Sequence, residues 1–161
     1  MIFSLGLVSI YMLIASSMKM NEYSKNSIIA SNLAREGIEI VRNIRDNNYA
    51  TLHNWNKFPG NNVDAKFQTG IIYYKVENDL DPANLLQEIV NFQEGKEYLA
   101  DEMKNYQLYL TPENYYTYDQ AEANTPTHFY RYLVFNDVKK DNGTLQENAL
   151  KLKSKVIWYK N

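Results

Sequence analysis

The chain has no cysteine, so disulfide staples, thiolate metal sites and thiol nucleophiles are excluded, and any folded part must be held by packing alone. Histidine is nearly missing too: only His53 and His128 occur, on different segments, with no nearby Ser or carboxylate arrangement to turn either into a general base. Charge of one sign is absent in bulk, because 17 Lys and Arg stand against 19 Asp and Glu. The resulting net charge of -2 gives no global basic field to attract nucleic acid. Proline does not appear before Pro59, so no proline interrupts a helix over the first third of the chain. At 161 residues the chain is too short for several domains, yet it leaves on the order of 100 residues for one core once its N-terminal stretch is set aside.

Long apolar runs are also lacking, with one exception. Residues 1–17, MIFSLGLVSIYMLIASS, are almost wholly apolar and pass without a break into MKMNEYSKNSIIASNLAREGIEIVRNIRD, a charged amphipathic stretch. The two together describe one long rod. Ile2, Phe3, Leu5, Leu7, Val8, Ile10, Leu13 and Ile14 lie all round its first part, a surface that needs lipid or other copies of the chain to cover it. A spanning helix takes about 20 mostly apolar residues, and residues 1–15 fall short of that. Lys19 and Lys25 follow the apolar run and no Lys or Arg precedes it, which on its own would leave the remainder on the cytoplasmic side. Ala15-Ser16-Ser17 would suit a cleavable signal, but the basic region that should precede the apolar core is missing.

In the second part of the rod, Ala30, Leu33, Gly37, Ile40 and Ile44 recur at steps of three and four, with Ala34 and Val41 widening the stripe. That period predicts a helix with one buried face, docked on whatever the rest of the chain builds. Gly37 in mid-stripe weakens the helix by about 1 kcal/mol relative to Ala, which points to a close backbone approach at that position. Arg35, Glu39, Arg42 and Asp46 belong to the other faces, either as solvated charges or as salt bridges between subunits. Asp46-Asn47-Asn48 favours a stop near Asn47.

Downstream the period changes to two. Phe67, Thr69, Ile71, Tyr73 and Lys75 alternate with Gly70, Ile72, Tyr74 and Val76, as in a strand. Further strands are expected over residues 106–110, 115–118, 129–138 and 150–159. Thr111-Pro112-Glu113-Asn114 and Asp141-Asn142-Gly143 serve as tight links, so an antiparallel sheet follows. In the last strand Leu150, Leu152, Val156 and Trp158 alternate with Lys151, Lys153, Lys155, Ile157 and Tyr159. The lysines either guard a sheet edge against pairing or form a weak, salt-sensitive strip for DNA or another anionic surface. Within residues 81–104, Asp81-Pro82 can open a helix carrying Leu85, Leu86, Ile89 and Val90, so a helical insertion at the periphery of the sheet is expected. Glu77, Asp79 and Asp81 match a calcium loop poorly and read as turn charges. Of the 14 tyrosines, most suit half-buried sheet faces, and Tyr115 and Tyr116 at a hairpin tip are candidates for contact with a partner.

The stretch NLAREGIEIVRNIRDNNY, residues 32–49, resembles the region after the hydrophobic helix in type IV pilin-like proteins, particularly minor pilins and pseudopilins. The IFSLGL segment and the ending ALKLKSKVIWYKN are similar to that family's apolar helix and last strand. The family's leader, its cleavage-site Gly and its Glu near the mature N-terminus have no counterpart here, so the resemblance implies that Met1 falls inside the family's mature helix and that an upstream part completes it. The expectation is an α+β, pilin-like fold: residues 1–17 as membrane or filament-core helix, 18–47 as its amphipathic continuation, and 48–161 as an antiparallel β domain with the insertion at 81–104. The function implied is a structural subunit of a type IV pilus or type II secretion-like filament. It would be non-enzymatic, without cofactor or metal. Its partners would be other pilin subunits and the bacterial inner membrane, with nucleic acid a possibility that nothing supports. Its location would be that membrane and an extracellular pilus or periplasmic pseudopilus. The competing expectation is a membrane-anchored extracytoplasmic binding or sensor domain that does not polymerise.

Overall fold

The computed structural model describes residues 2–57, 67, 69, 73–76, 86–89, 104–121 and 123–159. They form an α+β arrangement in which one long N-terminal helix, α1 (Ile2–Ala50), packs against an antiparallel sheet. The strands are β1 (Tyr73–Val76), β2 (Leu86–Ile89), β3 (Gln107–Leu110), β4 (Tyr116–Thr117), β5 (Thr125–Lys139) and β6 (Leu145–Trp158), with a single 3₁₀ turn at Lys104–Tyr106 before β3.

A helix of 49 residues is far longer than its intrinsic propensities would sustain, and packing of its apolar stripe supplies what propensity does not. It continues beyond the expected stop near Asn47. The reason is Asn48, which is buried and whose Nδ2 donates to the carbonyls of Trp55 at 3.2 Å and Lys57 at 2.9 Å. The residue type that usually ends a helix is here occupied in folding the next loop back onto it. The chain then turns through Leu52, whose φ is 57°, and His53 N–H returns to the Asn48 carbonyl at 2.9 Å.

β5 is the spine of the sheet. One of its edges pairs with β6 over most of its length, from Phe129 opposite Trp158 to Asp137 opposite Leu150. The other edge is shared by β1, which pairs at Leu133 and Val134, and by β3, which pairs from Thr125 to Tyr130. The β5–β6 link turns on Gly143, whose φ of 81° suits glycine, while Thr144 donates to the Asn142 carboxamide oxygen.

Period-two alternation sorts the side chains of β5 cleanly. Phe129, Arg131, Leu133 and Phe135 face the helix together with Leu152 and Val156 of β6 and Tyr74 and Val76 of β1. On the opposite face Tyr132 and Val134 are also buried, in a second cluster with Tyr106 of the 3₁₀ turn. The sheet therefore has apolar contacts on both faces.

Two expectations are corrected. Residues 86–89, placed on a helical face, form β2, paired from Tyr73 opposite Ile89 to Val76 opposite Leu86; short apolar runs fit either period, and here a free strand edge was available to pair. The rest of the expected insertion, up to residue 103, lies outside the described residues. Phe67, expected on the face of Tyr73 and Lys75 and away from Tyr74 and Val76, instead joins Tyr74 and Val76 in the helix-side core, where it stacks on Phe135 at 4.6 Å.

Gly37 sits where helix and sheet approach most closely. A Cβ at this position would lie 3.0 Å from Ser154 Oγ, 3.2 Å from Leu133 Cδ2 and 3.4 Å from Val76 Cγ1. Gly37→Leu should lower unfolding stability by about 1 to 3 kcal/mol despite its better helix propensity, and Gly37→Ala should stay within about 1 kcal/mol of wild type as crowding and propensity oppose each other. Chemical denaturation of the two variants checks this, and a stabilised Leu variant would contradict the close approach.

Candidate functional site

The helix divides into a docked part and a projecting part. In the docked part Ala30, Leu33, Gly37, Ile40 and Ile44 are all buried, and Val41 joins them. In the projecting part Leu7, Val8, Ile10, Leu13 and Ile14 are 53–70% exposed, and Tyr11, Met12, Met18 and Met20 are exposed as well. Ile2, Phe3 and Leu5 belong to the helical backbone, but their side chains lie outside the described residues. Among the described residues no helix is long and apolar enough to cross a membrane. What remains is an apolar rod without cover, held at a fixed angle by the docked half.

The angle is fixed by a charge. Arg131 is 1% exposed, on the helix-facing side of β5. Its Nη2 donates to the Val76 carbonyl at 2.7 Å and its Nε to the Tyr118 hydroxyl at 3.2 Å. Its Nη1 donates to the Leu33 carbonyl of α1 at 3.3 Å and meets Glu36 Oε2 at 3.1 Å. Tyr118 in turn donates its hydroxyl proton to the Arg131 carbonyl at 2.8 Å, and its ring centre lies 5.4 Å from the guanidinium carbon. One planar fork thus ties α1, β1, β5 and the residue after β4 together. Burial alone would lower the guanidinium pKa, but Tyr118 and Glu36 raise it by more, so it lies above its ordinary value and the group stays charged. The sequence carries a signal for this: Arg131 is the single charged residue between Phe129 and Phe135, on the face those two share with Leu133.

Other candidates separate. Tyr115 stays on the surface, whereas Tyr116 is half-buried and meets Phe129 edge-on at 6.1 Å, since successive strand residues point to opposite sides. Lys151 and Lys153 are exposed, and Lys155 is half-buried with its ammonium 5.9 Å from the Tyr132 ring centre. Glu39 pairs with Arg42 at 2.7 Å on the exposed side of α1, an intrachain contact worth tenths of a kcal/mol. Glu77, Asp79 and Asp81 lie outside the described residues. His53 is on an exposed loop beside Thr51, far in sequence from His128.

Among the described residues, grooves flank the docked helix. One, of about 350 Å³, lies where the rod leaves the sheet, between Lys19, Glu22, Tyr23 and Asn26 of α1 and His128, Trp158 and Tyr159. Another, of about 250 Å³, has Val41, Phe135, Leu150 and Leu152 among its lining, with Arg42 and Arg45 beside them.

On the outer face, burial first and then Tyr159 and Tyr109 raise the Tyr130 pKa above the usual tyrosine value. Burial does the same for Tyr116. A phenol whose folded pKa is raised contributes stability that is complete below the unfolded value of about 10 and is lost as pH rises through the folded value. Thermal melts above pH about 10 should therefore show falling stability, with a shallower fall in Tyr130→Phe; parallel slopes would count against the Tyr130 contribution. At neutral pH, Arg131→Lys should destabilise the fold by about 2 kcal/mol or more, because an ammonium cannot reach Val76, Leu33 and Tyr118 together and buried acceptors are left unpaired. Glu36→Gln should cost less, as Glu36 is 40% exposed and partly solvated. Urea midpoints give the order, and the reverse order would contradict it.

No family model matches the sequence, and the chain matches neither a curated protein nor a solved structure.

Proposed function

We propose that the chain is a pilin-like structural subunit, a minor pilin or pseudopilin of a type IV pilus or type II secretion-like filament. The observation that supports this reading is the ring of exposed apolar side chains around the projecting helix, from Leu7 to Ile14. A soluble monomer has no use for such a surface, and lipid or lateral contact with other copies removes it from water. The docked half supplies the second requirement of an assembling subunit, a rigid connection between rod and sheet, through the Gly37 contact and the Arg131 fork. In this reading the rod sits in the bacterial inner membrane before assembly and among other rods afterwards, and the sheet faces outward. No step of the function is covalent.

Leu7→Asp with Leu13→Asp places two charges on the rod where each side chain is at least 64% exposed and supports nothing in the monomer. The double variant should keep wild-type circular dichroism and melting behaviour while losing both membrane association and filament formation, scored by flotation and electron microscopy. Filaments of normal appearance from the double variant would remove the rod as the assembly element.

A further inference from the structure

The groove at the foot of the rod combines features that the filament reading leaves unused. Lys19 and Glu22 stand three residues apart on α1 and line the same groove, so their Cβ atoms are about 5 to 6 Å apart. Neither makes an ion pair among the described residues. Aromatic rings share the lining: Tyr23 of α1 and Trp158 of β6 lie 5.8 Å apart at 53°, and Tyr159 lines the groove with them. His128, also in the lining, has a buried Nε2 with no hydrogen-bond partner.

An unpaired cation and an unpaired anion lining one groove complement a small zwitterion. Aromatic rings in the same lining as the carboxylate favour an ammonium there. The groove's place on the rod narrows the source. Tyr23 is roughly 13 Å along the helix axis from Ile14, the last of the apolar ring, at 1.5 Å per residue. Were the apolar ring at the edge of the hydrocarbon, Lys19, Tyr23 and Trp158 would lie at headgroup depth, where Trp and Tyr concentrate in membrane proteins.

We infer that this groove receives the headgroup of a zwitterionic phospholipid of the phosphatidylethanolamine type, with its phosphate at Lys19 and its ammonium between Glu22 and the rings of Tyr23 and Trp158. The inference rests on the membrane half of the proposed function. It adds a lipid preference to it: the subunit selects a headgroup, and the bound headgroup sets how deep the rod sits.

The test uses the full chain in detergent micelles, offered phosphatidylethanolamine, phosphatidylglycerol and diacylglycerol with identical tails, with bound lipid counted by native mass spectrometry. One phosphatidylethanolamine per chain should be retained, at about tenfold preference over either competitor, a ratio that a modest differential contact supplies. Lys19→Gln should reduce the preference over diacylglycerol, which lacks the phosphate, and Glu22→Gln should bring the preference over phosphatidylglycerol, which lacks the ammonium, close to parity; both positions are exposed. Equal retention of the three lipids, or a preference indifferent to both substitutions, would overturn the proposal. In a second arm free phosphoethanolamine is titrated while the Trp158 indole N–H signal is followed by NMR. A response there without lipid retention would mean that the groove takes a soluble zwitterion, which also overturns the lipid assignment. Liposome flotation of the wild-type chain separates the two readings. Headgroup selectivity without flotation would sink the membrane reading and leave the groove's specificity standing, whereas flotation without selectivity would do the opposite.

Discussion

Taking a guanidinium out of water is expensive unless its donors are matched, and the way Arg131 meets that demand organises this protein. Its fork reaches a helix carbonyl, the carbonyl at the end of β1, a tyrosine hydroxyl and a helix carboxylate at once. An apolar side chain at that position would still let the helix slide or rotate on the sheet, since apolar contact is not directional. A planar fork with several separate acceptors permits one register. The neighbouring Gly37 makes the close register attainable, because a side chain larger than a methyl group there would press on Ser154, Leu133 and Val76.

The consequences run outward along β5. This strand carries Arg131 and also bridges both sheet halves, with β6 along one edge and β1 and β3 sharing the other. The helix also packs directly on β6 and β1, so β5, β6 and β1 together hold its orientation. The stacked pair Phe67 and Phe135 and the edge-on Tyr74 fill the helix-side core near one end of the dock, and Leu108, Tyr118 and Phe129 fill the other end beside Ala30 and Leu33. Burial stops at Ala30. Towards the N-terminus the helix keeps its regular backbone, with Ile29 at the margin of the core and Tyr23 against Trp158 before the helix projects.

That division bears on function more than any single residue does. The docked half is specific and rigid, whereas the projecting half offers exposed side chains whose only common property is that they are apolar. A surface of this kind suits repeated, interchangeable packing against lipid or like surfaces. At the border, Lys19 and Glu22 are the first charges beyond the apolar ring.

Features governed by local periodicity were legible in the amino-acid order. The buried stripe of Ala30, Leu33, Gly37, Ile40 and Ile44, the alternation along Leu150 to Trp158, and the Asn-Gly turn each follow from neighbours a few residues apart, which a sequence displays directly. Features decided by partners distant in the chain were not. Leu86 to Ile89 became a strand because the edge of β1 accepted it, and Asn48 stayed helical because two loop carbonyls accepted its amide. Arg131 looked like one more polar residue in a tyrosine-rich strand until the fold placed Leu33, 98 positions away, and Val76, 55 positions away, within reach of its nitrogens. The sequence by itself determined which faces had to leave water. Only the tertiary structure decided which hydrogen-bonding groups would meet there, because that choice depends on where a whole helix and three strands come to rest.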